Sequence, residues 1–227
     1  MARWNSKKRV FEHEHSRFWK HCMVDVQEPN LMREIFPYDE VPRIDFDHRL
    51  MPIDPPDDIF ITDTTFRDGQ QARPPYTVHQ IGDIFDLMHR LSGPEGVIRM
   101  SEFFLYTAKD REALELCRSR GYRFPAITAW IRAVEEDLDL VKDAGLSETG
   151  ILTSVSDYHI FLKLKTNRKS VLKKYLGIVR AALDKGIVPR CHFEDLTRAD
   201  IYGFCIPFAM ELMRLREESG IDVKIRL

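Results

Sequence analysis

Beyond residue 58, short apolar runs alternate with segments of helical periodicity, and this alternation restricts the chain to parallel strands joined by crossover helices. Strands are expected at 59–63, 97–103, 124–131, 149–155 and 188–193, with a sixth starting at 223–227. Helices are expected between them, over 78–91, 108–120, 134–144, 170–185 and 200–219. In the first helix Ile81, Ile84, Phe85, Met88 and Leu91 fall at helical spacing, and Gly93-Pro94 ends it. Gly121 and Gly145 stand where a helix C-terminus calls for a left-handed residue. Five strand-helix units and the start of a sixth fit a doubly wound open sheet or part of an eightfold barrel. A barrel of eight units takes about 250 residues, so the barrel reading also implies that the chain holds only the first part of one.

The first 58 residues read differently, as an extension followed by a proline-rich linker. Phe11, Phe18, Trp19 and Cys22 have a loosely helical spacing and predict a short helix packed on the main body. Prolines then enforce extended backbone up to Asp58. The extension is expected to pack beneath the barrel or across a subunit boundary. Its early cations, Arg3, Lys7, Lys8 and Arg9, are followed at once by Glu12 and Glu14, which argues against a mitochondrial transit peptide.

Composition excludes several classes. With 44% hydrophobic and 31% charged residues in 227, the chain can build a sizeable core. Its 34 Lys and Arg against 36 Asp and Glu leave a net charge of −2, the wrong balance for a dedicated nucleic-acid or anionic-membrane binder. No run approaches the 18 or so apolar residues of a membrane span. Four cysteines lie far apart with no CxxC pair, which argues against a disulfide scaffold or zinc knuckle and for a reducing, cytoplasmic setting. His13, His15, His21 and Cys22 look like a ligand cluster, but a solvated, mixed-charge helix accounts for them better.

In either architecture ligands bind at the carboxyl ends of the strands. After the first strand comes Asp63-Thr-Thr-Phe-Arg-Asp-Gly-Gln-Gln71, which sets a carboxylate beside a guanidinium at the mouth. A carboxylate suits a hard divalent cation, and an Arg stabilises charge developing on an oxygen. The structural alternative is that Asp63 and Thr64 cap a turn while Arg67 pairs with a nearby acid. The string closely resembles the first-strand signature Asp-Thr-Thr-Leu-Arg-Asp-Gly-Glu-Gln of the metal-dependent Claisen condensing enzymes: isopropylmalate, homocitrate and citramalate synthases. More distantly it is similar to hydroxymethylglutaryl-CoA lyase and pyruvate carboxyltransferase domains. Phe66 and Gln70 depart from that pattern, the second at a position that bears on the substrate.

Further matches follow in order, so the resemblance covers about 59–227. Ser101-Glu102-Phe103 supplies the family's strand-two Glu, with a salt-bridged strand-end carboxylate as the alternative reading. Ser154-Val-Ser-Asp-Tyr-His159 resembles the Thr-Ser-Asp-x-His segment, whose His lies near the substrate, and His192-Phe-Glu-Asp-Leu-Thr-Arg-Ala-Asp200 resembles the Glu-Asp-Ala-x-Arg-Ser/Thr-Asp stretch. A structural ion-pair network of Asp195, Arg198 and Asp200 capping the fifth helix is the alternative for the last of these.

The resemblance implies an α/β fold, a partial TIM (β/α)8 barrel. It implies an acyltransferase that condenses acetyl-CoA with a 2-oxo acid, aided by a divalent metal (Mg, Mn or Zn), in a homodimer. Carried over residue by residue, Arg67 would stabilise the oxyanion, Glu194 and His159 would move or orient protons, and Asp68 would bind the metal. Gln71, Glu102 and Thr197 would contact the substrate. The family's metal is completed by a His-x-His pair on strand seven, whereas the last residues here belong to strand six. A carbon-carbon lyase of the same superfamily, and an inactive fragment that needs a partner chain, remain as alternatives.

Overall fold

A computed structural model describes residues 2–5, 10–13, 22–33, 57–71 and 73–227. Near the N-terminus β1 (Ala2–Asn5) and β2 (Val10–His13) pair antiparallel, with Ala2 opposite His13. Phe11 therefore lies in a strand and not in the expected helix. Val10 and Phe11 favour extended backbone, which the antiparallel pairing with β1 satisfies. Phe18 and Trp19, His15 and His21, and the proline-rich linker lie outside the described residues.

The main body is one six-stranded parallel sheet: β3 (Ile61–Asp63), β4 (Ile98–Phe103), β5 (Ala126–Arg132), β6 (Glu148–Ser154), β7 (Val188–Glu194) and β8 (Lys224–Arg226). Their spatial order is their chain order. A doubly wound sheet must reverse its winding at a switch point, while an order that always advances one way curls toward a barrel. The sheet is thus a half-barrel with helices outside it: α1 (Val78–Ser92), α2 (Ala108–Ser119), α3 (Glu135–Asp143), α4 (Arg168–Asp184) and α5 (Ile206–Ser219).

Local chemistry sets the boundaries. Thr77 with Gln80 and Thr107 with Asp110 form capping boxes that start α1 and α2. Gly121 and Gly145 adopt φ of 67° and 63° after α2 and α3, the left-handed turn expected of them. The first strand begins at Ile61, two residues later than expected, because its pairing with β4 starts at Ile61 opposite Ile98. Leu91, expected on the buried stripe of α1, is 77% exposed, since the stripe runs through Ile81 and Phe85 and has rotated away by the last turn. The fifth helix starts at Ile206 and not near Asp200. Residues Ile201–Cys205 first wind as a wider π-type turn, with Asp200 accepting from the Gly203 amide at 2.8 Å.

Strand residues alternate faces. On the outer face Ile131, Ile151, Cys191 and Phe193 pack under the helices, where Phe193 stacks on Phe208 at 4.9 Å. The inner face is polar: Thr128, Glu102, Glu148, Arg190, His192 and Arg226 project toward one another.

Candidate active site

The site is built upward along the inner face. At its base Glu148 pairs with Arg190 and with Lys224 Nζ, the latter at 2.5 Å. One layer higher Glu102, fully buried, accepts from Arg67 Nε and Arg190 Nη2 at 2.8 Å and from Arg226 Nη1 at 2.7 Å. Burying a carboxylate is costly unless charge and hydrogen bonds compensate, and three guanidiniums do so here. Its lone pairs thus face arginines, the salt-bridged arrangement given above as the alternative reading of Glu102. His192 sits in the same layer. Burial, then the positive charge of Arg190, Arg226 and Arg67, pushes its pKa from 6.5 to about 3. The ring is neutral, so its 3.5 Å approach to Glu102 is not an ion pair.

Above this layer opens a cavity of about 330 Å³ lined by Arg67, Asp68, Gln71, Trp130, Leu152, His192, Glu194 and Arg226 among others. Arg67 lies 4.9 Å over the Trp130 ring, and its Nη1 donates to Asp68 at 2.7 Å. Trp130 Nε1 is buried and finds no acceptor among the described residues. A buried donor without a partner suits a ligand oxygen. Phe66 is buried against Phe103 at 4.9 Å, and Gln70 ties the loop to itself, donating to Phe66 O and accepting from the Tyr76 amide. Both departures from the family string therefore brace the loop and do not face the cavity.

On the far wall Glu194 ends β7. Ser154 Oγ donates to it, His159 Nδ1 lies 3.1 Å away and Lys163 Nζ 3.6 Å away. The turn Tyr158–Lys163 presents His159, and Tyr175, whose hydroxyl burial pushes up to about 12, holds the Ser154 backbone in place. Asp195 adopts a left-handed φ of 66° and pairs with Arg198 at 2.8 Å, while Ser156 Oγ donates to it at 2.6 Å.

Arg67, Asp68, Gln71 and Glu194 thus meet at one cavity, with Glu102 beneath and His159 beside. Thr197 is exposed on the turn Leu196–Arg198 and is not among the residues lining this cavity. Asp200 does not join Asp195 and Arg198: its carboxylate pairs with Arg168 at 3.0 Å and caps Gly203. Arg168, fully buried, also grips Asp157 through two 2.7 Å bonds and donates to Val24 O, while the Asn30 amide donates to Asp157. Residues 22–33 are thereby fastened at the rim of the mouth, not beneath the barrel. Trp130, Arg190 and Arg226 escape the motif reading, and His192 is given no role in it, although the polar residues at 190, 192 and 194 signal a strand with a polar face. Among the described residues no group of three His, Cys, Asp or Glu gathers as a metal cluster. Asp68 offers one half-exposed carboxylate oxygen of the hard type that Mg or Mn prefers.

This half-barrel, with its Arg-Asp pair after the first strand and a buried Glu beneath, belongs to a family of enzyme domains: the model described as HMGL-like matches residues 58–212. Within that family the chain is 68% identical, over all 227 residues, to a protein of Syntrophus aciditrophicus named citrate (Re)-synthase, covering 36% of that protein. It is 56% identical over 212 residues to the citrate (Re)-synthase of Clostridium kluyveri, covering 91% of this chain and 47% of that one. A 2-phosphinomethylmalate synthase of Streptomyces hygroscopicus is 41% identical over 76% of this chain and 40% of its own. The chain therefore spans well under two thirds of the curated relatives it matches. In solved structures its fold is that of a hydroxymethylglutaryl-CoA lyase from Pseudomonas aeruginosa, with a TM-score of 0.52 at 14% identity over 75% of this chain and 58% of that one.

Proposed function

We propose that the chain is the catalytic half-barrel of an enzyme that condenses acetyl-CoA with a 2-oxo dicarboxylic acid to give citrate. Citrate divides, by reversal of a Claisen condensation, into an acetyl unit and a four-carbon 2-oxo diacid. The observation that carries the reading is Arg67, fixed between Glu102 and Asp68 on the wall of a cavity that Arg226 also lines. A guanidinium has five N–H donors; Arg67 spends two on carboxylates and Arg226 one, which leaves two forks for the two carboxylates of a diacid. The relatives named citrate (Re)-synthase support this substrate over the acids of isopropylmalate or homocitrate synthesis.

In this reading Glu194, with His159 at 3.1 Å, takes a proton from the acetyl methyl group. The resulting carbanion attacks the ketone carbon, and Arg67 stabilises the negative charge that gathers on the ketone oxygen. Hydrolysis of the thioester then releases CoA. Asp68 would hold a divalent cation together with donors from the rest of the complete enzyme; when bound, such a cation supplies Lewis-acid polarisation of the ketone. Neutral His192 gives the cavity floor a hydrogen-bonding group without adding charge.

Arg67→Ala in the complete enzyme is expected to lower turnover by roughly a hundredfold or more, the usual cost of removing an oxyanion-stabilising group. Release of free thiol from acetyl-CoA with a panel of 2-oxo acids is the measurement. Activity within about threefold of wild type, against the hundredfold scale above, sinks the assignment, and a preference for a monocarboxylic 2-oxo acid sinks the diacid reading.

A further inference from the structure

His159, which approaches Glu194 to 3.1 Å, is carried by a six-residue turn, Tyr158–Lys163, wound in the wider π manner. A single turn closes few hydrogen bonds of its own, so what holds its ends decides where the imidazole points. One hold lies within the site: the His159 amide donates to Ser156 Oγ at 3.2 Å, and Ser156 donates to Asp195 at 2.6 Å. The other is Asp157, the residue before the turn. Its carboxylate caps nothing in the turn and goes to Arg168 instead.

Arg168, the first residue of α4, is fully buried, and four of its five N–H donors are engaged: two by Asp157 at 2.7 Å, one by Asp200 and one by Val24 O, each at 3.0 Å. One cation thus stands between two carboxylates. A buried cluster with an excess of negative charge needs neutral donors to make up the difference, and the backbone supplies them: the Asn30 amide donates to Asp157 at 2.7 Å and the Gly203 amide to Asp200 at 2.8 Å. The Asn30 amide and the Val24 carbonyl come from the segment 22–33, which lies 127 and 144 positions away from their partners. The Val24 amide also donates to Gly203 O at 2.8 Å, so the segment is pinned at three points. It forms no helix or strand, and these bonds fasten it in place of a ladder. A buried ion pair is weak evidence for stability, since apolar side chains of similar volume often serve as well. What four oriented bonds on a planar guanidinium supply is geometry.

We propose that residues 22–33 are a strap belonging to the active site, and that Arg168 is the positioning residue through which the strap fixes the turn of His159 against Glu194. Neither touches the reacting atoms. Together they keep Asp157 in place, and with it the 3.1 Å approach on which the proton transfer depends. The inference rests on the condensing reading above and adds to it why a segment ahead of the barrel is needed for the chemistry.

The test uses the complete enzyme with Arg168→Lys and, separately, Asn30→Pro. Lysine keeps the charge and loses the planar fork. Proline removes one backbone donor from an exposed residue, so that variant is expected to fold. Each is expected to lower kcat about ten- to a hundredfold, the scale of a misplacement remote from the chemistry, with the KM of both substrates unchanged. Loss of folded protein would also lower kcat, so each change is repeated in an enzyme that carries His159→Gln. There, with no imidazole left to aim, both changes should lower kcat no further, because residues that act through one group are not additive. Equal factors on both backgrounds, wild-type kcat in both variants, or a raised KM with kcat unmoved would overturn the inference. Failure of the wild-type enzyme to consume acetyl-CoA overturns the condensing reading and this inference together; consumption with any of those three results overturns this inference alone.

Discussion

At the scale of single residues the site is ruled by how much charge a buried layer can hold. Glu102 is tolerated inside because three arginines converge on it, and those arginines in turn keep His192 neutral. His192 has a folded pKa of about 3 against 6.5 when exposed, so between those values the unfolded chain binds more protons than the folded one. Stability is therefore expected to fall as pH drops below about 6.5 and to go on falling toward 3. His192→Gln, which keeps a hydrogen-bonding group and removes the titration, should flatten that part of the profile of thermal midpoint against pH. A profile that keeps its slope would show that other groups set it. Asp68 makes a different prediction. In the complete enzyme Asp68→Asn should weaken divalent-metal binding, read by titration calorimetry with Mn, and an unchanged titration would place the metal ligands elsewhere.

At the scale of elements the packing is tight where β6 crosses the floor of the cavity. A Cβ added to Gly150 would stand 2.8 Å from His192 Nε2 and 2.9 Å from Trp130 Cδ1, nearer than real contacts allow. Gly150 is what lets both rings face the same cavity. Gly150→Ala is expected to destabilise the fold by about 1–3 kcal/mol, the usual cost of overpacking a well-filled interior, and to shift the Trp130 fluorescence. Denaturant unfolding and emission spectra check the two halves of that expectation; a variant that matches wild type in both would mean the strand has room to give. Elements also show what the chain pattern conveyed. All five crossover helices and all six parallel strands were legible from periodicity within a few residues, because amphipathic spacing is a local property. The start of α5 was not: Asp200 turns back onto Gly203 and is held by Arg168, a contact across 32 positions that no window reveals.

At the scale of the molecule the sheet is half of a cylinder. Among the described residues no strand pairs with the outer edge of β3 or of β8, and Ile59, Phe60, Ile61 and Leu227 are exposed along those edges. Open parallel edges with apolar side chains recruit further strands. The 227-residue polypeptide prepared alone is therefore expected to self-associate in sedimentation velocity at tens of micromolar, a range typical of exposed-edge association, and a clean monomer would show that its edges are protected. The division into residues 1–58 and 59–227 remains our proposal, with one addition: Val24 and Asn30 are hydrogen-bonded to the rim beside Asp157, two residues before His159, so this part of the extension takes part in shaping the mouth.

The sequence by itself determined the alternation of strands and helices, the Arg67-Asp68 pair at the end of the first strand and the order of the family's motifs, since each is carried by neighbours in the chain. It left the barrel and the open sheet undecided, for both share the same local pattern and differ only in which strand lies beside which. Tertiary structure settled that through an unbroken strand order, and it gave Glu102 three arginine partners drawn from separate parts of the chain. It also set Thr197 outside the cavity and brought Arg190, Trp130 and Arg226 into the site from three separate strands. The physical reason is range: propensity, capping and periodicity act over a few residues, whereas the compensation of a buried charge requires partners that only the assembled fold brings within 3 Å.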